Sequence, residues 1–213
     1  MRIAIYTLTR DRLDYTKRFF EQLGKCGVEY DHFVLDNGSQ DGTPDYLKTL
    51  NLKWLHCSED NKGLWKGIEL ILKETDGFKG YDYVLKLDND LEFPQDDWLK
   101  YLIDLYEKND FDCLSPFVEG ICDGKGGVER IKKGEISLVH QLGGACLLST
   151  PYHYTAPMPN LGKAKGWDSW FSTGNKCGIC ENIRVKHDTK KQEEENPDYY
   201  KRKCREANEV YYN

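Results

Sequence analysis

The sequence predicts an α/β fold in which helices cover both faces of a mostly parallel central sheet. Its first half alternates short apolar, β-branched runs with amphipathic stretches of helical period, the rhythm of repeated βα units. Clusters of Gly, Asn and Asp punctuate that rhythm where the chain must turn. With 213 residues, 39% hydrophobic and 13% aromatic, the chain suits one domain with a full core and is not disordered by composition.

Residues 2–9, RIAIYTLT, read as a buried first strand. DRLDYTKRFFEQLGKCG then places Leu13, Thr16, Phe19, Phe20 and Leu23 on one helical face, with Gly24 and Gly27 as stop signals. YDHFVLD (30–36) is a second strand running into the turn cluster NGSQDGT. Thr43-Pro44 opens a helix, with Thr43 as N-cap and Pro44 at the first helical position. LKWLHC (52–57) is a third strand. The following helix carries Leu64, Ile68, Ile71 and Leu72 on one face. YDYVLKLD (81–88) is the fourth strand, and after Pro94 a helix runs through Trp98, Leu102, Ile103 and Tyr106.

Beyond this point the pattern loosens. Residues 119–135 are glycine-rich and charged, suiting a loop or hairpin, and 136–150 read as a strand interrupted at Gly143-Gly144. Residues 151–166 read as loop, GWDSWFSTGNKCG as a helix with a glycine stop, and ICENIRVKH as a closing strand. The remainder, to 213, is a charged surface helix or terminus, and no internal repeat is present.

A net charge of −6 argues against a general nucleic-acid binder. No apolar run reaches the roughly 18 residues that span a bilayer, and MRIAIYTLTR reads as a strand and not a signal peptide. The eight cysteines are then expected as reduced thiols in a cytoplasmic protein. Cys177 and Cys180 have the spacing of metal ligands, with His187 and Cys204 as nearby partners downstream. The same spacing suits a helix end followed by a strand, a place for Gly178.

The chemistry concentrates at LKLDNDLEF (85–93), where Asp88 and Asp90 bracket Asn89 at the end of an apolar run. Like charges set side by side either close a turn or hold a cation. A calcium loop of the EF type is excluded, because Phe93 stands where its glycine belongs and Leu99 where its glutamate belongs.

Over nearly its whole length the chain resembles a family 2 glycosyltransferase of the GT-A fold. The matching segments occur in the family's order: YTLTRDR, with Thr9 where an asparagine usually stands; LDNGSQDGT (35–43); NKGLWKG (61–67); the D-x-D motif Asp88-Asn89-Asp90; GGACLLS (143–149); and Trp167-Asp168, followed by His187. The resemblance implies a nucleotide-sugar-binding half (1–110), an acceptor-side half (111–190) and a charged tail (191–213). It further implies inverting transfer of a sugar from a nucleoside-diphosphate sugar, with UDP favoured, to a hydroxyl acceptor on a glycan or small molecule.

A hard divalent cation, Mn²⁺ or Mg²⁺, would offset charge on the leaving diphosphate. At an extended strand end residues i and i+2 face one side, so Asp88 and Asp90 can address one ion. His187 would be a third ligand and would tilt the preference toward Mn²⁺. By resemblance Asp90 touches the ion directly, and Asp88 reaches the ribose or a metal-bound water. Asn89 would face away or toward the ribose. Asp36 would accept from the donor's base, Thr7 and Arg10 would line base and diphosphate, and Asn61 and Lys62 would begin a helix whose N-terminus favours phosphate. Asp41 is expected to hold the loop before Thr43. Asp168 is the expected general base, and Trp167, Trp170, Tyr152 and Tyr154 could stack on sugars.

Three other functions compete on the residues. Sugar nucleotidyl transfer usually needs a glycine-rich loop after the first strand, and YTLTRDRLDY has no glycine. A degenerate binding module would be expected to lose Asp90, Asp168 or His187, and all three are present. A hydroxymethylated base in DNA is a possible acceptor, to which the basic residues near 186–191 and 201–205 lend slight support. The Q-x-x-R-W segment of processive synthases is missing, which suits a single-transfer enzyme.

Overall fold

Strand β1 (Ile3–Thr9) carries almost unbroken apolar residues because it is covered from both sides, as a central parallel strand must be. The computed structural model describes residues 1–93, 95–122, 130–155, 171–172, 174–187 and 189–202. Parallel neighbours of β1 are β2 (Asp31–Asp36) and β4 (Tyr83–Asp88), and β3 (Trp54–Cys57) extends β2 at the edge. The second half adds β5 (Cys113–Glu119), β6 (Arg130–Lys133), β7 (Ile136–Val139), β8 (Cys146–Ser149) and β9 (Cys177–Lys186). Together they form one mixed sheet in the order β3-β2-β1-β4-β8-β5-β9-β7-β6. Its N-terminal half is parallel, whereas β8 runs antiparallel to both β4 and β5.

Helices cover both faces. On one lie α1 (Leu13–Leu23), α2 (Thr43–Leu47) and α4 (Trp98–Lys108). Phe19 of α1 meets His32 and Phe93, Phe20 meets Tyr46, and Trp98 stacks on Phe93 at 4.4 Å. On the other lie α3 (Gly63–Glu74) and two 3₁₀ turns, Asp76–Phe78 and Pro151–Tyr154. There Tyr6, Phe33 and Tyr154 all pack on the Phe78 ring. The last described elements are α5 (Thr189–Glu195) and further helical residues, 197–202.

Several expectations are corrected. In α3 the buried face is Gly67, Ile68 and Ile71, and Leu64 is exposed. A Cβ at Gly67 would come within 2.6 Å of Leu8 and 2.8 Å of Leu35, so the missing side chain is what seats α3 on β1 and β2. The N-cap of α2 is Gly42, not Thr43. Asp41 does the capping instead, accepting from the Thr43 amide at 2.8 Å and, across the loop, from the Leu13 amide of α1 at 3.1 Å.

Strand β5 was not legible in the sequence. Pro116 sits inside it, and the pairing with β9 shifts register between Pro116 and Phe117, where proline can donate no ladder bond. Of the segment 119–135 expected as loop or hairpin, residues 130–133 form β6, which pairs with β7 in a hairpin turning at Gly134 with φ +67°. Strand β9 is the last described strand and α5 follows it, in the place where a charged surface helix or terminus is expected. Cys177 and Cys180 both lie in β9, where a spacing of three sends side chains to opposite faces, so the pair cannot chelate together. Gly178 is a strand residue whose bare Cα admits Ile136 and Phe111. Cys204 lies outside the described residues.

His32 is fully buried on β2 and hydrogen-bonded to Thr7 Oγ1 at 3.0 Å. Burial pushes its pKa down from 6.5 to about 3. A folded-state pKa below the unfolded one gives stability that is full above pH 6.5 and is lost as the pH falls toward 3. The expected result is a loss of about 2 kcal/mol between pH 7 and pH 5 by urea unfolding, absent in His32→Gln. Equal slopes for the two proteins would remove His32 as the cause.

Candidate metal and donor site

The site gathers where strand ends meet. Thr9 pairs with Asp36 in register, and Leu8 with Asp88, so the ends of β1, β2 and β4 lie together at one edge of the sheet. His187 arrives from the far half by a bridge between Glu92 and Lys186, closed by amide bonds of 3.0 and 2.9 Å. Gly120 makes room for it: at φ +88°, its Cβ would stand 2.4 Å from the His187 carbonyl oxygen.

Asp88, Asp90 and His187 bring one ligand atom each to within 4.8 Å of one another. Asp90 is buried, and its Oδ2 accepts from the Arg12 guanidinium at 2.9 Å and lies 3.4 Å from His187 Nε2. Oδ1 of the same carboxylate is buried with no hydrogen-bond partner among the described residues. Burial works to raise the Asp90 pKa. The bond to His187 and the charge of Arg12 outweigh it and hold the carboxyl well below its usual range. Asp88, half-buried, pairs with the ammonium of Lys86. Two carboxylate oxygens and an imidazole, one oxygen otherwise orphaned, fit a hard divalent cation such as Mn²⁺ or Mg²⁺.

The loops after β1 and β2 build the adjoining wall. Asp36 is fully buried; it accepts from the Ser39 amide at 2.9 Å, from Thr9 Oγ1 at 3.0 Å and from the Ser39 hydroxyl. Its carboxylate therefore fixes the loop. Asn37 ties this loop to α3, accepting from the Lys62 amide at 2.8 Å. Gly38, at φ +77°, lets the two loops touch, since a Cβ there would sit 2.6 Å from the Asp60 carbonyl carbon.

The other expected donor-site residues fall in different places. Thr7 is sealed in the sheet against His32, because an odd-numbered β1 residue faces α1. Asn89 also turns toward α1, donating to Thr16 Oγ1 at 2.9 Å, which buries its amide in the core, the away-facing one of the two orientations expected. Arg10 is half-buried near Tyr199. Asn61 is exposed and caps the start of α3 through the Gly63 amide at 2.9 Å, while the Lys62 ammonium is paired with Asp60. Tyr154 is core and Tyr152 is exposed. Asp168, Trp167 and Trp170 lie outside the described residues.

Sequence reasoning missed Asp11, Arg12, Lys86 and Gln192. Asp11 and Arg12 are consecutive non-glycine residues with positive φ, 52° and 61°, a conformation costing about 1–3 kcal/mol each that surrounding bonds must hold. The Asp11 amide donates to Ser39 Oγ, its carboxylate accepts from the Gln40 amide, and Arg202 also pairs with that carboxylate. Arg12 donates to Gln192 Oε1 at 3.0 Å and lies over the Tyr199 ring at 4.6 Å. Gln192 is buried and also donates to the Asp90 carbonyl at 3.2 Å. A cavity of about 750 Å³ opens beyond Arg12, lined by Asp11, Tyr15, Gln40, Tyr199 and Arg202; Asp88, Asp90 and His187 do not line it.

A mixed sheet with helices on both faces, with Asp88 at the end of β4, is the architecture of the GT-A glycosyltransferase fold. The glycosyl transferase family 2 profile matches residues 5–167, and the chain belongs to that family of glycosyltransferases. Solved structures agree on the fold. TarS of S. aureus (residues 1–349, in complex with UDP-GlcNAc) is similar at TM-score 0.68 and 18% identity, over 88% of this chain and 58% of that one. Mannosyltransferase PcManGT of Pyrobaculum calidifontis, in complex with GDP-Man and Mn²⁺, is similar at TM-score 0.64 and 13% identity, over 87% of this chain and 56% of that one. The chain thus spans under two thirds of these structures. No curated protein matches the sequence. Among the described residues no helix is long and apolar enough to cross a membrane.

Proposed function

We propose that this domain transfers a sugar from a nucleoside-diphosphate sugar, with UDP favoured, to a hydroxyl acceptor by a single inverting displacement. The observation that carries the reading is the Asp88–Asp90–His187 cluster, with Asp90 Oδ1 buried and without a hydrogen-bond partner among the described residues. The complexes of the structural neighbours with UDP-GlcNAc and with GDP-Man and Mn²⁺ support the donor class.

Asp90, Asp88 and His187 would hold Mn²⁺ or Mg²⁺, which when bound supplies Lewis-acid stabilisation of the leaving diphosphate. Asp36, Asn37 and Gly38 shape the base-side loop. The α3 N-terminus, approached through Asn61 and Lys62, offers its dipole to phosphate. Asp168 takes the acceptor proton, so that the oxygen attacks the anomeric carbon opposite the diphosphate.

The test is a panel of UDP- and GDP-sugars with Mn²⁺, scored by donor hydrolysis and by thermal shift. At least one UDP-sugar is expected to raise the melting temperature only when metal is present. A panel in which no donor stabilises the protein would sink the reading.

A further inference from the structure

The carboxylate pair does not stand in an open acidic cup, because each acid already has its own cation. Asp88 is paired with Lys86, two residues earlier on β4, whose side chain is only 3% exposed. Asp90 is paired with Arg12, whose side chain is only 6% exposed. Neither cation can swing away cheaply. Lys86 springs from an inner strand between β1 and β8, and Arg12 is gripped on its other side by Gln192 and the Tyr199 ring. Shielded from water, their charges are weakly screened and act on anything placed between the carboxylates.

We infer that Lys86 and Arg12 are positioning counter-charges that neutralise the carboxylate pair before any ion arrives, so that the protein alone holds a divalent cation weakly and takes it up together with a diphosphate. The inference rests on the donor-site reading above. An ion entering alone leaves its full charge uncompensated among buried groups, and the buried cations repel it. An ion entering with a diphosphate brings compensating negative charge, and the sum returns toward zero. Arg12 also donates to Asp90 Oδ2, the oxygen that lies 3.4 Å from His187 Nε2, while Oδ1 has no hydrogen-bond partner among the described residues.

The experiment is a Mn²⁺ titration of the full chain, following free Mn²⁺ by electron paramagnetic resonance, without nucleotide and then with UDP. UDP is expected to tighten Mn²⁺ binding about tenfold or more, and Mn²⁺ to tighten UDP binding by the same factor. Arg12→Gln and Lys86→Gln each keep a hydrogen-bond donor and delete a charge. Both should bind Mn²⁺ without nucleotide about tenfold more tightly than the unsubstituted protein, with a smaller gain on adding UDP. Equal Mn²⁺ affinity with and without UDP, or no tightening in either variant, overturns the inference. If Arg12→Gln does not fold, as circular dichroism would show, Lys86→Gln and the unsubstituted protein decide. Failure of both UDP and GDP to bind sinks the donor reading and the joint uptake with it, while the nucleotide-free comparison still judges the counter-charges separately.

Discussion

Asp90→Ala is expected to lose sugar transfer by about 10³-fold, because a Lewis-acid site worth several kcal/mol of transition-state stabilisation loses its most buried ligand. It should also lose the metal-dependent thermal shift with UDP. Stability falls too, for a separate reason. Arg12 is buried against Asp90 at 2.9 Å, and removing one partner of a buried pair costs about 3–5 kcal/mol, since the other charge is left without compensation. The bond from Arg12 to Gln192 at 3.0 Å places the expected loss at the lower end of that range. The two effects separate in the double variant. Adding Arg12→Met to Asp90→Ala removes the orphaned cation, so urea unfolding should recover part of the stability while transfer stays lost. Transfer within tenfold of the unsubstituted enzyme would show that Asp90 holds no catalytic ion.

What the sequence reveals follows from the range of the interactions involved. Strands β1, β2 and β4 and helices α1 and α4 announce themselves because their periodicity is local and their burial nearly complete. Strand β5 hides because Pro116 argues against a strand, and only its partner β9, with a register shift, makes it tolerable. Leu64 misleads because the helical face is chosen by Gly67, a residue that carries no hydrophobic signal. The same contrast runs through the site. Asp88 and Asp90 are legible from an alternation of two, and Lys86 shares that phase. Arg12 and Gln192 reach the aspartate motif across sequence separations of 78 and 102 residues, and no short pattern encodes such a contact. Asp36 ends β2, and its carboxylate is bonded to Ser39 and Thr9, a detail set by loop closure.

Asp168→Asn should lower kcat by about 10²–10⁴-fold, the range for a positioned general base, with Mn²⁺ and UDP binding unchanged. The substitution is chosen to isolate proton transfer. The sequence offers one competing role for Asp168, that of a carboxylate at the start of a helix, and asparagine caps helices about as well as aspartate. A capping role would therefore leave both stability and turnover nearly intact in Asp168→Asn. A base role predicts unchanged unfolding in urea with collapsed turnover, and loss of the ascending limb in the pH profile of kcat. Asp168→Glu keeps the base but moves its oxygens along the side chain, so it should retain that limb at reduced rate. Because the expected function of Asp168 is to accept a proton from the acceptor and not to hold the donor, the donor-dependent thermal shift should survive in both variants. Turnover of Asp168→Asn within a few fold of the unsubstituted enzyme would assign the base to another carboxylate.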